Sequence, residues 1–463
     1  MPRLAVIANK MPVRPVRSAG GWQLERGEGG LVTSLTPVLL EQGGSWIGND
    51  PHPETAWDAV RAQVGFNVHP VALPRELQNG FYNGFCNALL WPLFHDFLGR
   101  AEFHSRWWPA YVRVNEIFAD VAARHAADGD IWVHDYHFFL VPELLRRRRV
   151  RKHIRFFLHI PFPAYEIFRH IPWRDELLSG LFAADEVGFH TELYRENFLD
   201  SVGRLLGRNH IHGAAIRRPA GGRCLTRVLP ISVETGRLAE QGESGEVIGR
   251  AAELRAEGRA LVLGVDRLDY TKGMPERMLA YEHFLERNPE HHGKVTYIQV
   301  AVPSRGEVAE YSRHQRVIEQ LVGHTNGRFG SADWTPIRYL HRHVSPLELA
   351  ALYKAADVAL VTPLADGMNL VSKEYIAVKG GEPGVLVLSE FAGAAVELRP
   401  HALLVNPHSL EGVAGAVARA LAMPAAERRA RMTAMFLHLK QNDIHAWVER
   451  ALSSEEMAAR TAG

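Results

Sequence analysis

Two cationic side chains follow an apolar run of this 463-residue sequence, at a point where a buried strand would end. In "LGVDRLDYTKG" the apolar run stops at Asp266, and Arg267 and Lys272 follow it. Only eight of the 53 basic residues are lysine, so a lysine inside such a motif is informative. Cations beside the free amides of a helix start suit phosphate oxygens. The alternative is that both cations pair with Asp266 and Asp269 on the surface.

A second polar stretch, "DGMNLVSKEY" from Asp366 to Tyr375, follows the apolar run "VALVTP". The letters "NLVSKE" open a helix, whose first backbone amides lack intrahelical partners and can hold a phosphate. Glu374 is an acceptor-only group that could accept hydrogen bonds from two ribose hydroxyls. The alternative is that Asp366 or Asn369 caps the helix, while the negative charge of Glu374 interacts favourably with the helix dipole. Capping does not explain Lys373.

Polar side chains also follow other apolar runs. They are Lys10 in "VIANK", His134, Asp135 and His137 in "IWVHDYH", His159 in "FFLHIPFP" and Arg305 in "IQVAVPSRG". Ligands of open α/β sheets bind outside the carboxyl ends of the strands. Because such residues follow strands in both halves of the chain, we expect a cleft between two domains that binds anionic groups.

Glycines and aromatic residues add weaker signals. Gly29 and Gly30 in "ERGEGGLVTSL" precede a helix, and glycines let a backbone approach a ligand closely. The earlier pair in "SAGGWQ" is an alternative. Tyr82 and Trp91 in "FYNGFCNALLWPLF" could form a wall against a sugar ring, whereas aromatic residues at helical spacing are more often part of the core.

The elements that must position these residues are strands alternating with helices. Apolar, β-branched runs alternate with helical patterns along most of the chain, which predicts parallel sheets covered on both faces. The stretch Glu234–Glu257 is polar and strand-free, so it marks a boundary. We therefore predict two α/β domains, 1–235 and 236–441, and a terminal helix within 442–463 that packs back on the first domain.

Composition excludes several classes of protein. The net charge of +1 gives no overall field for nucleic acid or membrane surfaces. Cys86 and Cys224 have no metal-ligand spacing and fit a reducing compartment, so we expect a cytoplasmic protein. We find neither a signal-peptide core nor an apolar membrane span. The Asp128–Asp130 pair is interpreted as a turn, and no dinucleotide fingerprint follows a strand, so we expect no metal and no cofactor.

Taken together, these stretches resemble the trehalose-6-phosphate synthase family of retaining glucosyltransferases. The resemblance runs from "LAVIANK" to about "NDIHAWVE" and includes "DRLDYTKGMPERMLAYE", "HHGKVTYIQVAVPSRG" and "DGMNLVSKEY". It implies the GT-B architecture, with the parallel sheets of two Rossmann-like domains facing a central cleft. It also implies metal-free transfer of glucose from a nucleotide-diphosphate glucose, UDP-glucose above all, to glucose 6-phosphate.

The resemblance implies a role for each residue of the sugar-donor site. Arg267 and Lys272 would hold the diphosphate. The other residues implied there are Leu370 and Val371 through their amides, Glu374 at the ribose, Asp366 at the sugar with Asn369 in the same loop, and Gly29 and Gly30 against the diphosphate.

For the acceptor and the chemistry, the resemblance implies a second set. Lys10, Tyr82, Trp91, Asp135 and Arg305 would bind glucose 6-phosphate, and His159 would contact the donor sugar near the reaction centre. No nucleophilic carboxylate stands out for a double displacement. In the family the departing phosphate accepts the acceptor's proton, so the enzyme mainly positions two anions. The implied catalytic set is His159, Asp135, Arg267, Lys272 and Asp366.

Two departures from the family pattern lie on the acceptor side. Lys10 stands where the family usually has an arginine, and lysine lacks the bidentate fork of arginine. Asn49 in "GGSWIGND" stands where the family often has a second tryptophan. The same chemistry with another phosphorylated acceptor, such as glycerol 3-phosphate, is therefore an alternative.

Other hypotheses have less support. A sugar-nucleotide isomerase would need a carboxylate acid/base pair at the anomeric carbon, which we cannot assign. A regulatory binding protein would more often have lost Arg267, Lys272 or Glu374. The sequence does not determine the nucleotide base or the oligomeric state, and it is compatible with a homo-oligomer.

Overall fold

The computed structural model describes residues 3–18, 21–27, 30–125, 129–303 and 309–453. These described residues form two compact units. The first comprises the chain up to Pro230 together with the segment from Val448 onward, and the second is Ile231–Trp447. Each unit is built around its own sheet.

The strands of the first unit lie mostly in one sheet. They are β1 (Arg3–Lys10), β2 (Val13–Ser18), β3 (Gly21–Arg26), β4 (Gly44–Asn49), β5 (Asn67–Val71), β6 (Gly129–His134), β7 (Ile154–Phe157), β8 (Glu186–Phe189), β9 (Ile211–His212), β10 (Ala215–Arg217) and β11 (Arg223–Val228). Within the described residues, the nine-stranded sheet has the order β5-β4-β1-β6-β7-β8-β11-β10-β9. Its strands pair in parallel except at β11-β10-β9, and β2 and β3 form a separate antiparallel pair.

Helices connect these strands. They are α1 (Gly30–Gln42), α2 (Glu54–Val60), α3 (Arg75–Gln78), α4 (Trp91–Phe94), α5 (Trp107–His125), α6 (Val141–Arg147), α7 (Tyr165–Phe168), α8 (Arg174–Phe182) and α9 (Glu192–Leu206). Short 3₁₀ helices span Arg61–Gln63, Leu98–Arg100, Tyr136–Phe138 and Arg208–His210, and a π-helix spans Asn79–Leu90. The N-terminus of α9 is capped by Thr191, whose side chain accepts a hydrogen bond from the amide of Tyr194.

The second unit has one sheet with helices on it. Its strands are β12 (Ala260–Arg267), β13 (Val295–Val302), β14 (Ile337–Leu340), β15 (Val358–Val361), β16 (Val385–Ser389) and β17 (Leu403–Val405). In the described part of the unit these six strands form a parallel sheet of order β14-β13-β12-β15-β16-β17.

The helices from the second unit onward complete the fold. They are α10 (Thr235–Gly242), α11 (Gly245–Arg255), α12 (Met274–Arg287), α13 (Ala309–Phe329), α14 (Pro346–Ala355), α15 (Leu370–Lys379), α16 (Ala395–Leu398), α17 (Leu410–Ala422), α18 (Ala425–Gln441) and α19 (Ile444–Leu452), with 3₁₀ turns at Tyr270–Lys272 and Pro289–His291. The α/β class predicted from the sequence is confirmed by one mostly parallel and one fully parallel sheet, each connected by helices.

The core of the second unit follows from its strand sequences. Val262, Val358 and Val385 lie on three neighbouring strands and pack with Met278 and Tyr281 of α12 in one buried cluster. Strands covered on both faces are continuous apolar runs rather than alternating ones, which is why this sequence signal was clear. Burial of this apolar surface is the main force that holds the sheet and its helices together.

The end of α19 is attached to the first sheet by arginines. Arg155 of β7 donates to the carbonyl oxygen of Leu452 at 3.3 Å, and Arg227 of β11 donates to that of Arg450 at 2.7 Å. Charged donors make such bonds to carbonyls strong. In the part of the chain that the structure describes, no helix is both long and apolar enough to span a membrane.

Candidate functional site

The loop after β12 is shaped by an aspartate and a glycine. The carboxylate of Asp269 accepts hydrogen bonds from the amide and the hydroxyl of Thr271, at 3.0 and 2.9 Å. Gly273 has a φ of 64°, and a Cβ there would lie 2.6 Å from the carbonyl oxygen of Thr362. A side chain at that position would be strained and would clash, so glycine is required. The turn between them presents Lys272 at the carboxyl end of β12.

Lys272 is held by an acidic residue that follows the neighbouring strand β15. Its Nζ lies 2.6 Å from Oδ2 of Asp366, and the two side chains are only 11% and 12% exposed. The side-chain amide of Asn369 donates to the same oxygen at 3.0 Å. The amide of Met368 donates to Oδ1 at 3.3 Å. The alternative that Lys272 pairs with a carboxylate of its own loop is therefore wrong.

A buried network lies beneath this loop. Arg277 is fully buried and donates to Oδ2 of Asp266 at 2.5 Å and to the side-chain oxygen of Gln299 at 3.1 Å. It also donates to the carbonyl oxygen of Lys272 at 3.0 Å. Burial raises the pKa of Asp266, and the charge of Arg277 opposes that rise. Arg277 thus fixes the backbone that carries Lys272, while the Arg267 side chain at the strand end is exposed.

The start of α15 is capped by Asn369. Asn369 has a φ of 74°, and its side-chain oxygen accepts a hydrogen bond from the amide of Ser372 at 3.0 Å. Asparagine tolerates this left-handed conformation better than most residues. Leu370 and Val371 form the first turn and are partly exposed, and first-turn amides have no partner within the helix. Capping by Asn369 is confirmed, and it is compatible with anion binding at the same helix end.

Lys373 has a structural explanation. Its side chain is fully buried, and Nζ donates to the carbonyl oxygen of Ile231 at 2.7 Å and to Oε2 of Glu397 at 2.5 Å. Burial alone would raise the pKa of Glu397, but the hydrogen bond from His438 and the charge of Lys373 hold it below its usual value. Lys373 therefore belongs to the interior of the second unit rather than to a phosphate site.

Glu374 is on the same helix but is partly exposed. The hydroxyl of Tyr353 donates to its Oε2 at 2.8 Å. Burial raises the pKa of Glu374, while the Tyr353 hydrogen bond and the charge of Arg237 act in the opposite direction. The second carboxylate oxygen is thus an acceptor on a carboxylate whose orientation is fixed.

In the first unit, Asp135 at the end of β6 has a strained backbone. Its φ of 75° and ψ of 168° fall in a region that is essentially restricted to glycine, at a cost of about 1–3 kcal/mol. Its amide donates to the carbonyl oxygen of Phe157 at 2.8 Å. Its Oδ1 accepts a hydrogen bond from the amide of His159 at 3.2 Å. These links to the end of β7 and to the loop after it hold the strained backbone in place, and such strain is typical of functional sites.

His159 follows β7 and contacts a second histidine. Its Nε2 lies 3.1 Å from Nδ1 of His134, which is fully buried. Burial lowers the pKa of His159 to about 3, because a charged imidazole is poorly solvated there. The pKa of His134 is lowered by burial and by its neighbour His159. Both rings are therefore neutral near pH 7.

Tyr82 lies on the π-helix, and Trp91 begins the helix after it. The ring of Tyr82 stacks on that of His137, with centroids 5.9 Å apart and an angle of 9°. Asn87 donates to the carbonyl oxygen of Tyr82 at 2.8 Å and accepts from the hydroxyl of Tyr136 at 3.0 Å. Trp91 is only 5% exposed, whereas Tyr82 is partly exposed.

The π-helix was not predicted from the sequence. π-Helices are rare overall, and those that do occur often lie at functional sites. A Cβ at Gly84 would lie 2.7 Å from the ring of Trp107, so the glycine allows α5 to pack closely. The glycine spacing was the available signal, but it does not distinguish a π-helix from an α-helix.

The remaining predicted residues lie at strand and helix ends or outside the described chain. Lys10 is exposed at the end of β1, and its carbonyl oxygen accepts a hydrogen bond from the indole of Trp46 at 2.9 Å. Asn49 at the end of β4 donates to Gln78 at 2.9 Å. Gly30 is the first residue of α1. Gly29 and Arg305 lie outside the described residues.

The structure also identifies polar residues that the sequence did not single out. Tyr353, Arg277 and Asn87 each hold a predicted site residue through a hydrogen bond. Among the described residues, no group of three or more His, Cys, Asp or Glu side chains could hold a metal ion.

Comparisons with known proteins support one family. The model of glycosyltransferase family 20 matches residues 2–456. A trehalose-6-phosphate synthase of Mycolicibacterium vanbaalenii is 43% identical, over 97% of this chain and 96% of its own length. One from Mycobacterium leprae is 42% identical, over 99% of this chain and 95% of its own.

Solved structures give the same result. A UDP-forming alpha,alpha-trehalose-phosphate synthase from Burkholderia vietnamiensis has a TM-score of 0.86 at 37% identity, covering 97% of both chains. A UDP-forming synthase from Burkholderia xenovorans in complex with glucose-6-phosphate has a TM-score of 0.86 at 35% identity, covering 97% of this chain and 98% of its own. An E. coli protein bound with UDP-2-fluoro glucose has a TM-score of 0.84 at 38% identity, covering 96% and 97%. These likenesses confirm the predicted GT-B fold class.

Proposed function

Because the chain belongs to glycosyltransferase family 20, we propose that it transfers glucose from UDP-glucose to glucose 6-phosphate. The products are α,α-trehalose 6-phosphate and UDP. The observation that carries the proposal is the likeness over nearly the whole chain to trehalose-6-phosphate synthases, one of which was solved with glucose-6-phosphate. The chain is thus a hexosyltransferase.

The proposed sugar-donor site lies at the carboxyl ends of β12 and β15, which are paired neighbours. Arg267 and Lys272 bind the diphosphate oxygens, and the amides of Leu370 and Val371 at the start of α15 add uncharged hydrogen bonds. Support comes from Arg277, whose hydrogen bond to the carbonyl oxygen of Lys272 fixes the backbone of the turn.

The other donor contacts follow from the same loop and helix. Glu374 accepts hydrogen bonds from the ribose hydroxyls, because one of its oxygens is held by Tyr353 and the side chain is partly exposed. Asp366 and Asn369 contact the glucose and support each other through their own hydrogen bond. Gly30, together with Gly29, which lies outside the described residues, is also proposed for the diphosphate.

The residues proposed for the acceptor site belong to the first domain, except Arg305, which belongs to the second. Tyr82, Trp91 and Asp135 contact the sugar of glucose 6-phosphate, and Lys10 and Arg305 bind its phosphate. The strained backbone of Asp135 supports a functional role for its carboxylate. In this division 1–235 is the acceptor domain, 236–441 is the donor domain, and the helix in 442–463 packs back on the first.

The reaction proceeds by positioning and electrostatics. The acceptor hydroxyl oxygen bonds to the anomeric carbon while the bond from that carbon to the UDP oxygen breaks. The hydroxyl proton passes to the departing phosphate on the same face, so configuration is retained. Arg267 and Lys272 stabilise the charge that develops on the leaving diphosphate. His159 is neutral and contacts the donor sugar, and no metal takes part in the proposed mechanism.

We also propose a cytoplasmic location. Both cysteines are free and buried, which fits a reducing compartment. Light scattering on the purified protein would measure its oligomeric state.

The test of function is nucleoside diphosphate release in the presence of a chelator. UDP-, GDP- and ADP-glucose are each paired with glucose 6-phosphate and with glycerol 3-phosphate. We expect release with UDP-glucose and glucose 6-phosphate, and a product that yields trehalose after phosphatase treatment. Release with glycerol 3-phosphate but not with glucose 6-phosphate would show that glucose 6-phosphate is not the acceptor. The absence of any release, together with no thermal stabilisation by nucleoside diphosphates, would contradict the glycosyltransferase proposal.

A further inference from the structure

A buried tyrosine holds one oxygen of a partly exposed carboxylate in the second unit. Tyr353 lies on α14 and is 2% exposed, and its hydroxyl donates to Oε2 of Glu374 on α15 at 2.8 Å. An ionised carboxylate is acceptor-only, so this hydrogen bond occupies one of its two oxygens. Holding Oε2 in this way also fixes the direction of Oε1.

The tyrosine is itself rigidly held. The helix α14 is capped by Ser345, whose side chain accepts a hydrogen bond from the amide of Glu348 at 3.1 Å. The ring of Tyr353 packs edge-on against that of Tyr375, with centroids 6.4 Å apart. Burial raises the pKa of the Tyr353 hydroxyl, so it stays protonated and remains a donor at any physiological pH. Tyr353 therefore acts as a fixed hydrogen-bond donor from inside the unit.

We propose that Tyr353 is a positioning residue for the nucleotide, because it orients Glu374 so that Oε1 accepts hydrogen bonds from the ribose hydroxyls. The inference rests on the proposed role of Glu374 in the sugar-donor site. It goes further in assigning the preference for a ribonucleotide over its dideoxy form to a pair of residues rather than to one. Tyr353 does not touch the nucleotide in this proposal.

Without the hydroxyl, Glu374 would lose the partner that fixes it. The carboxylate would then sample several orientations, and ordering it again would weaken ribose binding. A hydrogen bond involving a charged group corresponds to roughly a tenfold change in affinity. We therefore expect Tyr353→Phe to weaken binding of the ribonucleoside diphosphate about three- to tenfold, and to leave binding of the dideoxy form unchanged.

The experiment measures binding by titration calorimetry for UDP, GDP and ADP, and then for the 2′,3′-dideoxy form of whichever binds most tightly. The wild type is compared with Tyr353→Phe and with a matched control, Tyr375→Phe. Tyr375 is also fully buried and follows Glu374 directly, but its hydroxyl lies 3.5 Å from the carbonyl oxygens of Ala356 and Asp357. The control thus removes a buried hydroxyl that does not hold Glu374.

The expected result is a ribose preference in the wild type and in Tyr375→Phe that is reduced in Tyr353→Phe. A ribose preference that survives unchanged in Tyr353→Phe would overturn the inference and leave the proposed function intact. A wild type that binds both forms equally would overturn the ribose role of Glu374 and the inference with it. Binding of none of the three nucleoside diphosphates would overturn the proposed function itself.

A double variant covers the case in which Tyr353→Phe does not fold. In Tyr353→Phe/Glu374→Gln the half-buried residue 374 carries no charge, so losing the tyrosine hydroxyl costs less stability. If Tyr353 acts only through Glu374, the double variant has the same ribose preference as Glu374→Gln alone. A further loss in the double variant would mean that Tyr353 affects the nucleotide independently, which would overturn the positioning role.

Discussion

The ammonium group of Lys272 lies 2.6 Å from Oδ2 of Asp366. The lysine proposed to bind the diphosphate is therefore held by the aspartate proposed to contact the donor glucose. The two residues follow neighbouring parallel strands, β12 and β15, and are 94 positions apart in the sequence. A lysine side chain has many rotamers, and holding it in one place lowers the entropic cost of binding. The pair therefore preorganises the proposed donor site.

Lys272→Ala should reduce turnover strongly, with the defect on the donor side. Removing one group that stabilises developing charge costs about 10²–10³ in rate, and the loss of the Asp366 ion pair adds to it. Steady-state kinetics with the nucleotide-sugar and the acceptor varied separately would measure the effect. Lys294→Ala is the matched control, because Lys294 is an exposed lysine just before β13. Normal donor affinity and rate in Lys272→Ala would contradict the proposed donor site.

Asp135→Gly should be more stable than Asp135→Ala, although both should lose activity. Glycine adopts a φ of 75° and a ψ of 168° without strain, whereas alanine retains a strain of about 1–3 kcal/mol. Both variants lose the carboxylate that accepts from the amide of His159. Urea unfolding would give the difference in the free energy of unfolding. Equal stability of the two variants would show that this backbone conformation is not strained.

Lys10→Arg should change the Michaelis constant for glucose 6-phosphate more than the one for the sugar donor. Arginine offers a planar, bidentate fork to a phosphate, while lysine offers a single point charge. The hydrogen bond of Trp46 goes to the backbone carbonyl of residue 10, so the substitution should leave the fold unaffected. Initial rates with each substrate varied in turn would measure both constants. A change in the donor constant alone would show that Lys10 is misplaced in the proposed site.

Lys373→Met should destabilise the protein without a specific defect in nucleotide binding. Removing one partner of a buried ion pair costs about 3–5 kcal/mol, because Glu397 would lose its buried counter-charge. Urea unfolding at pH 7 would measure the loss. A specific loss of UDP affinity in a variant of unchanged stability would indicate that Lys373 does bind phosphate.

The same ion pair predicts the direction of a pH effect. Because the pKa of Glu397 is lowered in the folded protein, its contribution to stability is fully present above its ordinary pKa of 4.5 and is lost progressively as the pH falls from there through the lowered pKa. The loss of stability on acidification should be smaller in Lys373→Met than in the wild type. Unfolding measured at pH 7 and at pH 4 would check this, and an equal pH dependence would contradict the assignment to this pair.

Some residues of the proposed site were predictable because their signal is local. Lys272, Asp366 and Glu374 were selected because each follows an apolar run, and a run of this kind predicts a strand from neighbouring residues alone. Capping by Asn369 is also local, since it involves an amide three residues away.

The sequence by itself determined the α/β class, the family and the strand ends that carry polar residues, because these depend on short-range patterns. Only the tertiary structure decided that Lys272 pairs with Asp366, that Lys373 is buried against Glu397, and that Tyr353 holds Glu374. The strained backbone of Asp135 likewise depends on hydrogen bonds with Phe157 at the end of β7 and with His159 after it. These relationships are set by which strands become neighbours and which helix faces pack together, and that selection minimises the free energy of the whole fold rather than of any single segment.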